Sequence, residues 1–370
     1  MNVSALPKRQ RLPQLDFLRA AACFLVIVSH SPVPIEADSL MRAIHRGGWV
    51  GVDLFFVLSG YLVSGILFEE YLRTGKVRPI QFAIRRSMKI YPAFYFYLFT
   101  TTIAIFVVAT DLSNIYICRI AAEVFFVQNY FPSTWGHTWS LAVEEHFYIS
   151  IIALIYLLAN RRSANPFSGL PTVLPVVCLI CLLWRIYDAR NGFVNGVPHM
   201  THLRIDALSF GVLVAYARHL HSVVFVRLVR SFRYPLLFFG IALTLPSFIF
   251  AVSKNQWLTT YGLTMNYLGS GCVVASLVCL ERSLPFLLLV IARIGTYSYS
   301  IYLWHAVVVS WIVPRISDRL LGFGPHAGWL FSVGASTLIG VIAAHLVEIP
   351  VLRIRDRLVP SSSIQPVVDS

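Results

Sequence analysis

Long, nearly unbroken apolar runs alternate with short polar segments along the whole chain. The runs fall at roughly 14–31, 49–68, 88–109, 139–159, 171–187, 205–217, 235–252, 261–280, 291–313 and 328–347. Most approach the ~20 residues a helix needs to cross about 30 Å of hydrocarbon, and a lipid-embedded backbone must satisfy its own hydrogen bonds. The pattern therefore predicts an all-α, polytopic integral membrane helical bundle with about ten transmembrane helices. Residues 115–127 are interrupted by Arg119 and Glu123 and are expected outside the bilayer. The polar connections (32–48, 110–138, 188–204, 218–234) are too short for a separate soluble domain, and no internal repeat is visible. Residues 1–358 read as a single transmembrane domain, and the Ser- and Pro-containing stretch 359–370 as a disordered cytoplasmic tail. Chemistry must then come from residues within the spans or at their ends.

Composition agrees. The 370 residues are 57% hydrophobic and only 13% charged, whereas soluble chains average about 45–50% apolar and about 25% charged. The net charge of +13 is explained by where the basic residues lie. With the N-terminus in the cytoplasm, 20 of the 30 Lys and Arg fall on inner segments, 7 on outer loops and 3 in or at the ends of spans. This is a positive-inside distribution with both termini cytoplasmic, so the basic excess marks topology and not a nucleic-acid surface. The first run carries Asp16 and Arg19 and lacks a small-residue cleavage site, so it is expected to be a span and not a signal peptide. Cys178-x-x-Cys181 lies inside an apolar run, where cysteines behave as small hydrophobes, and no metal site is expected.

Polar residues inside these runs need a reason, because a charge at mid-membrane costs roughly 2.5–3.5 kcal/mol on insertion scales. In LDFLRAAACFLVIVSH, Arg19 and His30 are eleven residues apart, about three full turns and ~16 Å, so they share one helix face, with Asp16 beside them. Either Arg19 is an interfacial anchor paired with Asp16, or the stripe lines a polar cavity. In HTWSLAVEEHFY (137–148), Ser140, Glu144 and Tyr148 share a face and Glu145 points elsewhere. A carboxylate there is expected to orient the His30 imidazole as a general base. In HLRIDALSFG, Arg204 and Asp206 are two residues apart and cannot pair with each other on a helix, so each is expected to pair with another span. GVDLFFVLSG places Asp53 at the mouth of the second span and Ser59-Gly60 at mid-depth, where small residues permit close helix approach. RRSMKIYP supplies Arg85, Arg86 and Lys89, either as interfacial anchors or as a phosphate-binding cluster. GTYSYSIYLWH aligns Ser298, Tyr302 and His305 on one face, and Glu348 before Pro350 is placed to neutralise Arg19.

In this order, Arg19-x10-His30, GVDLFFVLSG, RRSMKIYP, WSLAVEEHFY, RIDALSFG, SYSIYLWH and the closing Glu-x-Pro resemble the membrane-bound acyltransferase-3 family over about residues 12–350. The resemblance implies an O-acyltransferase of the bacterial inner (plasma) membrane, most often an O-acetyltransferase. It would take acetyl-CoA, or another acyl-CoA, as donor and a hydroxyl of an extracytoplasmic glycan or lipid-linked saccharide, such as O-antigen or exopolysaccharide, as acceptor. It implies catalytic importance for Arg19 and His30 and makes Arg85 and Arg86 candidates for coenzyme A phosphate contacts. Lys89 stands where the family has a third arginine. Glu144, Arg204 and Asp206 gain weight as site residues. The hydrolase-like domain fused to some members is not expected here, so transfer is expected to finish within the membrane domain. The mechanism expected is docking of coenzyme A on the cationic cluster, passage of the thioester past Arg19, and proton removal from the acceptor by His30 with Glu144 orienting it. A transient acyl-histidine fits the same residues. The rival reading is a secondary transporter using these ionisable groups as a proton path.

Overall fold

The computed structural model describes residues 12–33, 37–108, 114–192, 197–280, 284–324 and 326–360. The expected basic residues Lys8, Arg9, Arg11 and Arg282, and positions 361–370 of the tail, lie outside them. Among the described residues there is no strand, and the chain order is α1 (Pro13–His30), α2 (Ser39–Gly47), α3 (Val50–Thr74), α4 (Pro79–Val108), α5 (Asn114–Val124), α6 (Trp139–Ala159), α7 (Leu170–Arg190) and α8 (Thr201–Leu220). It continues with α9 (Ser222–Ser231), α10 (Arg233–Ile249), α11 (Leu263–Val278), α12 (Phe286–Gly295), α13 (Ser298–Val307), α14 (Val313–Leu321), α15 (Ala327–Ala343) and α16 (Ile349–Leu358).

Each expected span contains helix, but length and apolarity single out fewer crossings than ten. Among the described residues five helices qualify alone, or up to seven if each bent pair is one span. The shortfall has local causes. Helix α1 begins with Gln14, Asp16 and Arg19, α10 has only 17 residues, and α12 meets α13 at a 68° bend. Helix α8 turns by 109° into α9. Two π-helical turns, Val308–Ile312 and Ala344–Glu348, end two residues before Pro314 and Pro350. Proline has no N–H to return to the preceding turn, and the ladder widens upstream of it. The second of these turns carries Glu348 inward, where it is buried.

Helix α3 is the axis of the bundle: 78% of its span window is buried, against 33% for α4 and 28% for α7. It packs most extensively on α8. The contact depends on two glycines, since a Cβ on Gly60 would lie 2.0 Å from the Leu208 carbonyl oxygen and one on Gly211 2.3 Å from that of Val57. The small residue expected in the second span thus serves close approach. Gly60→Ala is expected to force α3 and α8 apart and destabilise the fold by roughly 1–3 kcal/mol. Thermal unfolding in detergent reads this directly, with Gly328→Ala, where a Cβ meets nothing within 4 Å, as the neutral control.

Helix α1 lies against α3, α12 and α13. Its register with α13 is set at two heights, where Cys23 Sγ donates to the Ser298 carbonyl oxygen (3.2 Å) and the His30 ring meets that of His305 (5.2 Å between centroids). Both steps are seven residues long, so the two helices run parallel with their polar stripes facing each other.

Candidate active site

Below the midpoint of this stripe lies a cavity of about 80 Å³ among α1, α3, α4, α6, the α12–α13 bend and the π turn at Glu348. Three cations line it, Arg19, Arg86 and Lys89, together with three carboxylates, Glu144, Glu145 and Glu348. Ser59, Ser140, Ser298 and Tyr302 add hydroxyls, and Val52, Phe55, Phe56 and Leu141 the apolar walls. Arg19 Nη1 bonds Asp16 one turn back at 3.0 Å. Arg86 bonds the Tyr148 hydroxyl, lies with its guanidinium carbon 4.2 Å from the centre of that ring, and reaches 3.7 Å from Glu144 Oε2. Glu144 accepts from Ser59 Oγ at 3.1 Å and from Tyr148, Glu145 accepts from the Tyr91 hydroxyl at 3.1 Å, and Glu348 accepts from Ser300 Oγ at 2.7 Å. Arg86 Nε and Glu145 Oε1 are buried without a hydrogen-bond partner. A buried polar atom left so costs about 1–3 kcal/mol, which a bound ligand can recover.

Tyr302 roofs the cavity. Its hydroxyl donates to the His137 carbonyl oxygen at 2.6 Å, so its contact with Ser140 Oγ, also 2.6 Å, must have Ser140 as donor. On the far side of the Tyr302 ring stand His305 (5.4 Å between centroids) and His137 (5.6 Å), and His30 meets His305. His30 is exposed, whereas His137 and His305 are buried. The His30 Nδ1 lies 2.8 Å from the Val26 carbonyl oxygen, which can only accept. Nδ1 therefore carries the hydrogen and Nε2 keeps a free lone pair, the form a general base or nucleophile needs. His137, in the segment before α6, has its affinity for a proton lowered to about 3, first by burial and then by the neighbouring His30, so it places no second charge there. Among the described residues, no three His, Cys, Asp or Glu side chains converge as a metal site.

The structure brings several expected residues together and separates others. Arg19, Arg86, Lys89, Glu144, Ser140, Ser298, Tyr302 and Glu348 share the cavity; Asp16 and Tyr148 support it by holding Arg19 and Arg86. His30 lies beyond the roof, and Glu144 is bonded to Ser59 and Tyr148 instead of the imidazole. The expected Glu144–His30 orientation is corrected: the Val26 carbonyl, one helical turn back on α1, takes that place. Arg85 points away from Arg86, as adjacent helical residues must, and is held by the Val359 carbonyl oxygen and by Asp356 (3.0 Å) near the end of α16. Pro360 is likewise tied, accepting from Gln81 at 2.8 Å. Arg204 and Asp206 do pair with other spans, but away from the cavity. Arg204 bonds Asp53 at 2.8 Å and Asp206 bonds Arg185 at 2.6 Å, all four buried.

The expected site set left out Glu145, Ser59, His137 and Arg185, although Glu145 and Ser59 stand in the motifs that were weighed. The signal for Arg185 was an arginine near the end of an apolar run, matched to the then unpaired Asp206. For Glu145 and Ser59 there was none short of knowing which helices face each other. Glu123 was set aside with its segment. It is buried, accepts from Thr138 Oγ1 (2.8 Å) and the Trp135 N–H (3.1 Å), and so holds the loop that carries His137, with its carboxyl pushed up to about 7 by burial.

The acyltransferase-domain family model, acyltransferase 3, matches residues 12–345. O-acetyltransferase OatA of Staphylococcus aureus strain NCTC 8325 is 28% identical over 363 residues, an alignment covering 92% of this chain and 57% of OatA. A protein of S. aureus strain COL that bears a provisional O-acetyltransferase name is 30% identical over 379 residues, covering 93% of this chain and 58% of that protein. The chain thus spans a little over half the length of these relatives. No solved structure matches it.

Proposed function

The chain belongs to the acyltransferase-3 family, and from that footing we propose that it is a membrane O-acetyltransferase moving the acetyl group of acetyl-CoA to a hydroxyl of an extracytoplasmic glycan. It sits in the bacterial inner membrane as a single transmembrane domain over residues 1–358, crossing about ten times with both termini in the cytoplasm. One observation carries the reading: a cationic cavity and an imidazole with a free Nε2 lie on opposite sides of one side chain, Tyr302. A carrier of a polyanionic donor and an acceptor-activating base are what the reaction needs, close together and approached from opposite faces.

In this reading the phosphates of coenzyme A meet Arg85 at the cytoplasmic surface, where it is tethered to α16 but not buried. The pantetheine arm enters the cavity past Arg86 and Lys89. Arg19, near the thioester, offsets charge as the carbonyl oxygen becomes an oxyanion. The acceptor hydroxyl reaches exposed His30 from outside. Its O–H proton passes to His30 Nε2 while the oxygen attacks the thioester carbon; the C–S bond breaks, and the coenzyme A thiolate takes the proton from His30. The short Tyr302 contacts with His137 and Ser140 must give way for thioester and hydroxyl to touch, so the roof opens with donor bound. Glu144, held by Ser59 and Tyr148, positions Arg86 rather than His30.

Two measurements test the proposal. The purified protein in nanodiscs should bind acetyl-CoA, which a transporter has no reason to do, and absence of binding rejects the donor. Surface glycans from cells with the gene should be heavier by one acetyl group than those without it; a larger acyl mass would reject acetyl.

A further inference from the structure

His305 offers an observation that the mechanism above does not use. Its Nδ1 lies against the carbonyl oxygen of Tyr302, one turn back, and so carries the hydrogen. Its Nε2 is therefore an acceptor, fully buried, with no hydrogen-bond partner. Native proteins leave few such atoms, and each calls for a reason. Two imidazole rings pack against that of His305, those of His137 (5.0 Å between centroids) and His30 (5.2 Å).

The His30–His305 centroids are 5.2 Å apart, with the rings inclined by 57°. Two imidazoles joined by an N–H···N bond of ~2.9 Å have centroids about 5 Å apart, so the separation is already that of a bonded pair and only the orientation differs. In the resting state both Nε2 atoms are lone pairs and cannot bond each other. Once His30 holds the acceptor's proton, its Nε2 is a donor beside an acceptor that nothing else has satisfied, and a turn of the ring brings the two into line. His137 does not compete, because its Nε2 lies 3.2 Å from the Leu303 carbonyl oxygen and carries its hydrogen there.

We propose that His305 is a positioning residue for the acyl transfer, its buried Nε2 accepting a hydrogen bond from protonated His30 that does not exist before the proton moves. An interaction present only along the reaction path lowers the barrier without tightening substrate binding. The net proton count is unchanged: the proton leaves the hydroxyl, rests on His30 and ends on the coenzyme A thiolate. The inference rests on the O-acetyltransferase reading, deepening its base.

The test uses the full chain in nanodiscs, acetyl-CoA as donor, and glycan extracted from the producing cell as acceptor, following release of free thiol. His305→Phe keeps a planar ring and removes Nε2; His305→Gln returns an acceptor oxygen near the same place. His305→Phe should lower the maximal rate roughly 10- to 100-fold, as loss of a bond to a charged group does, with KM for acetyl-CoA and the melting temperature near wild type. His305→Gln should recover at least a few-fold of that loss. A His305→Phe rate within twofold of wild type overturns the inference. So do Phe and Gln variants equally slow, or a Phe variant whose deficit is wholly in KM, since each would mean space filling alone. If wild type itself releases no thiol above background, the O-acetyltransferase reading has failed instead.

Discussion

Replacing His30 by alanine is expected to reduce acetyl transfer by about 10²–10⁴-fold, the range a positioned general base contributes. The imidazole is exposed at the end of α1, so its loss should leave folding nearly untouched, unlike that of a core residue. The variant should keep the wild-type melting temperature and bind acetyl-CoA as well as wild type, because His30 does not line the cationic cavity. His30→Asn is the sharper companion. Its amide can keep the contact that Nδ1 makes with the Val26 carbonyl but has no nitrogen lone pair at the Nε2 position, and it should be as inactive as alanine. Glycan acetylation above a tenth of the wild-type level in either variant, at matched membrane abundance, would remove His30 from the base role and leave the cavity without its chemistry. Arg86→Ala should behave oppositely, weakening donor binding first, because Arg86 lies in the cavity and His30 outside it.

That division was only partly legible in the sequence. The helical character and the polar stripe on the first span follow from hydrophobic runs and a 3.6-residue period, and the Asp16–Arg19 contact from a spacing of three. Periodicity says which residues share a face but not which faces meet. Ser140, Glu144 and Tyr148 do lie on one face, yet descending α6 takes that face from the Tyr302 roof down to Arg86 and so carries Glu144 away from His30. The imidazole needed no carboxylate because a backbone carbonyl one turn back was in reach, an option every helix offers and no residue pattern announces. Likewise Arg85 and Arg86 look like one cluster in the sequence, while the ~100° between adjacent helical residues sends one to the α16 end and the other into the cavity. Length and apolarity single out fewer crossings than the ten expected for a related reason. The site demands charged and bent segments, and Arg19 in α1 and the α12–α13 bend both reduce the apolar length by which a crossing is recognised.

The same separation of faces decides what Arg204 and Asp53 do, and the second large effect follows from it. Both side chains are 1% exposed, bonded at 2.8 Å, and the guanidinium carbon lies 5.5 Å from the Phe56 ring centre and 5.4 Å from that of Trp139. Arg204 Nε and Nη1 already lack partners, so the pair is held mainly by its one ionic bond. Asp53→Leu would strand a buried guanidinium, and breaking such a pair from one side costs about 3–5 kcal/mol. The single variant should therefore show a large fall in melting temperature and in membrane abundance, with lost acetylation as a consequence. Asp53→Leu combined with Arg204→Met removes both charges, and an apolar replacement of similar volume is often neutral or stabilising. The double variant should regain most of the stability and, because neither residue lines the cavity, the acetylation with it. A double variant that is stable yet inactive would place these charges in the chemistry and return them to the site the sequence motif suggested. Recovery of both would assign them to holding α3 against α8, the contact on which the position of Ser59, and through it Glu144 and Arg86, depends.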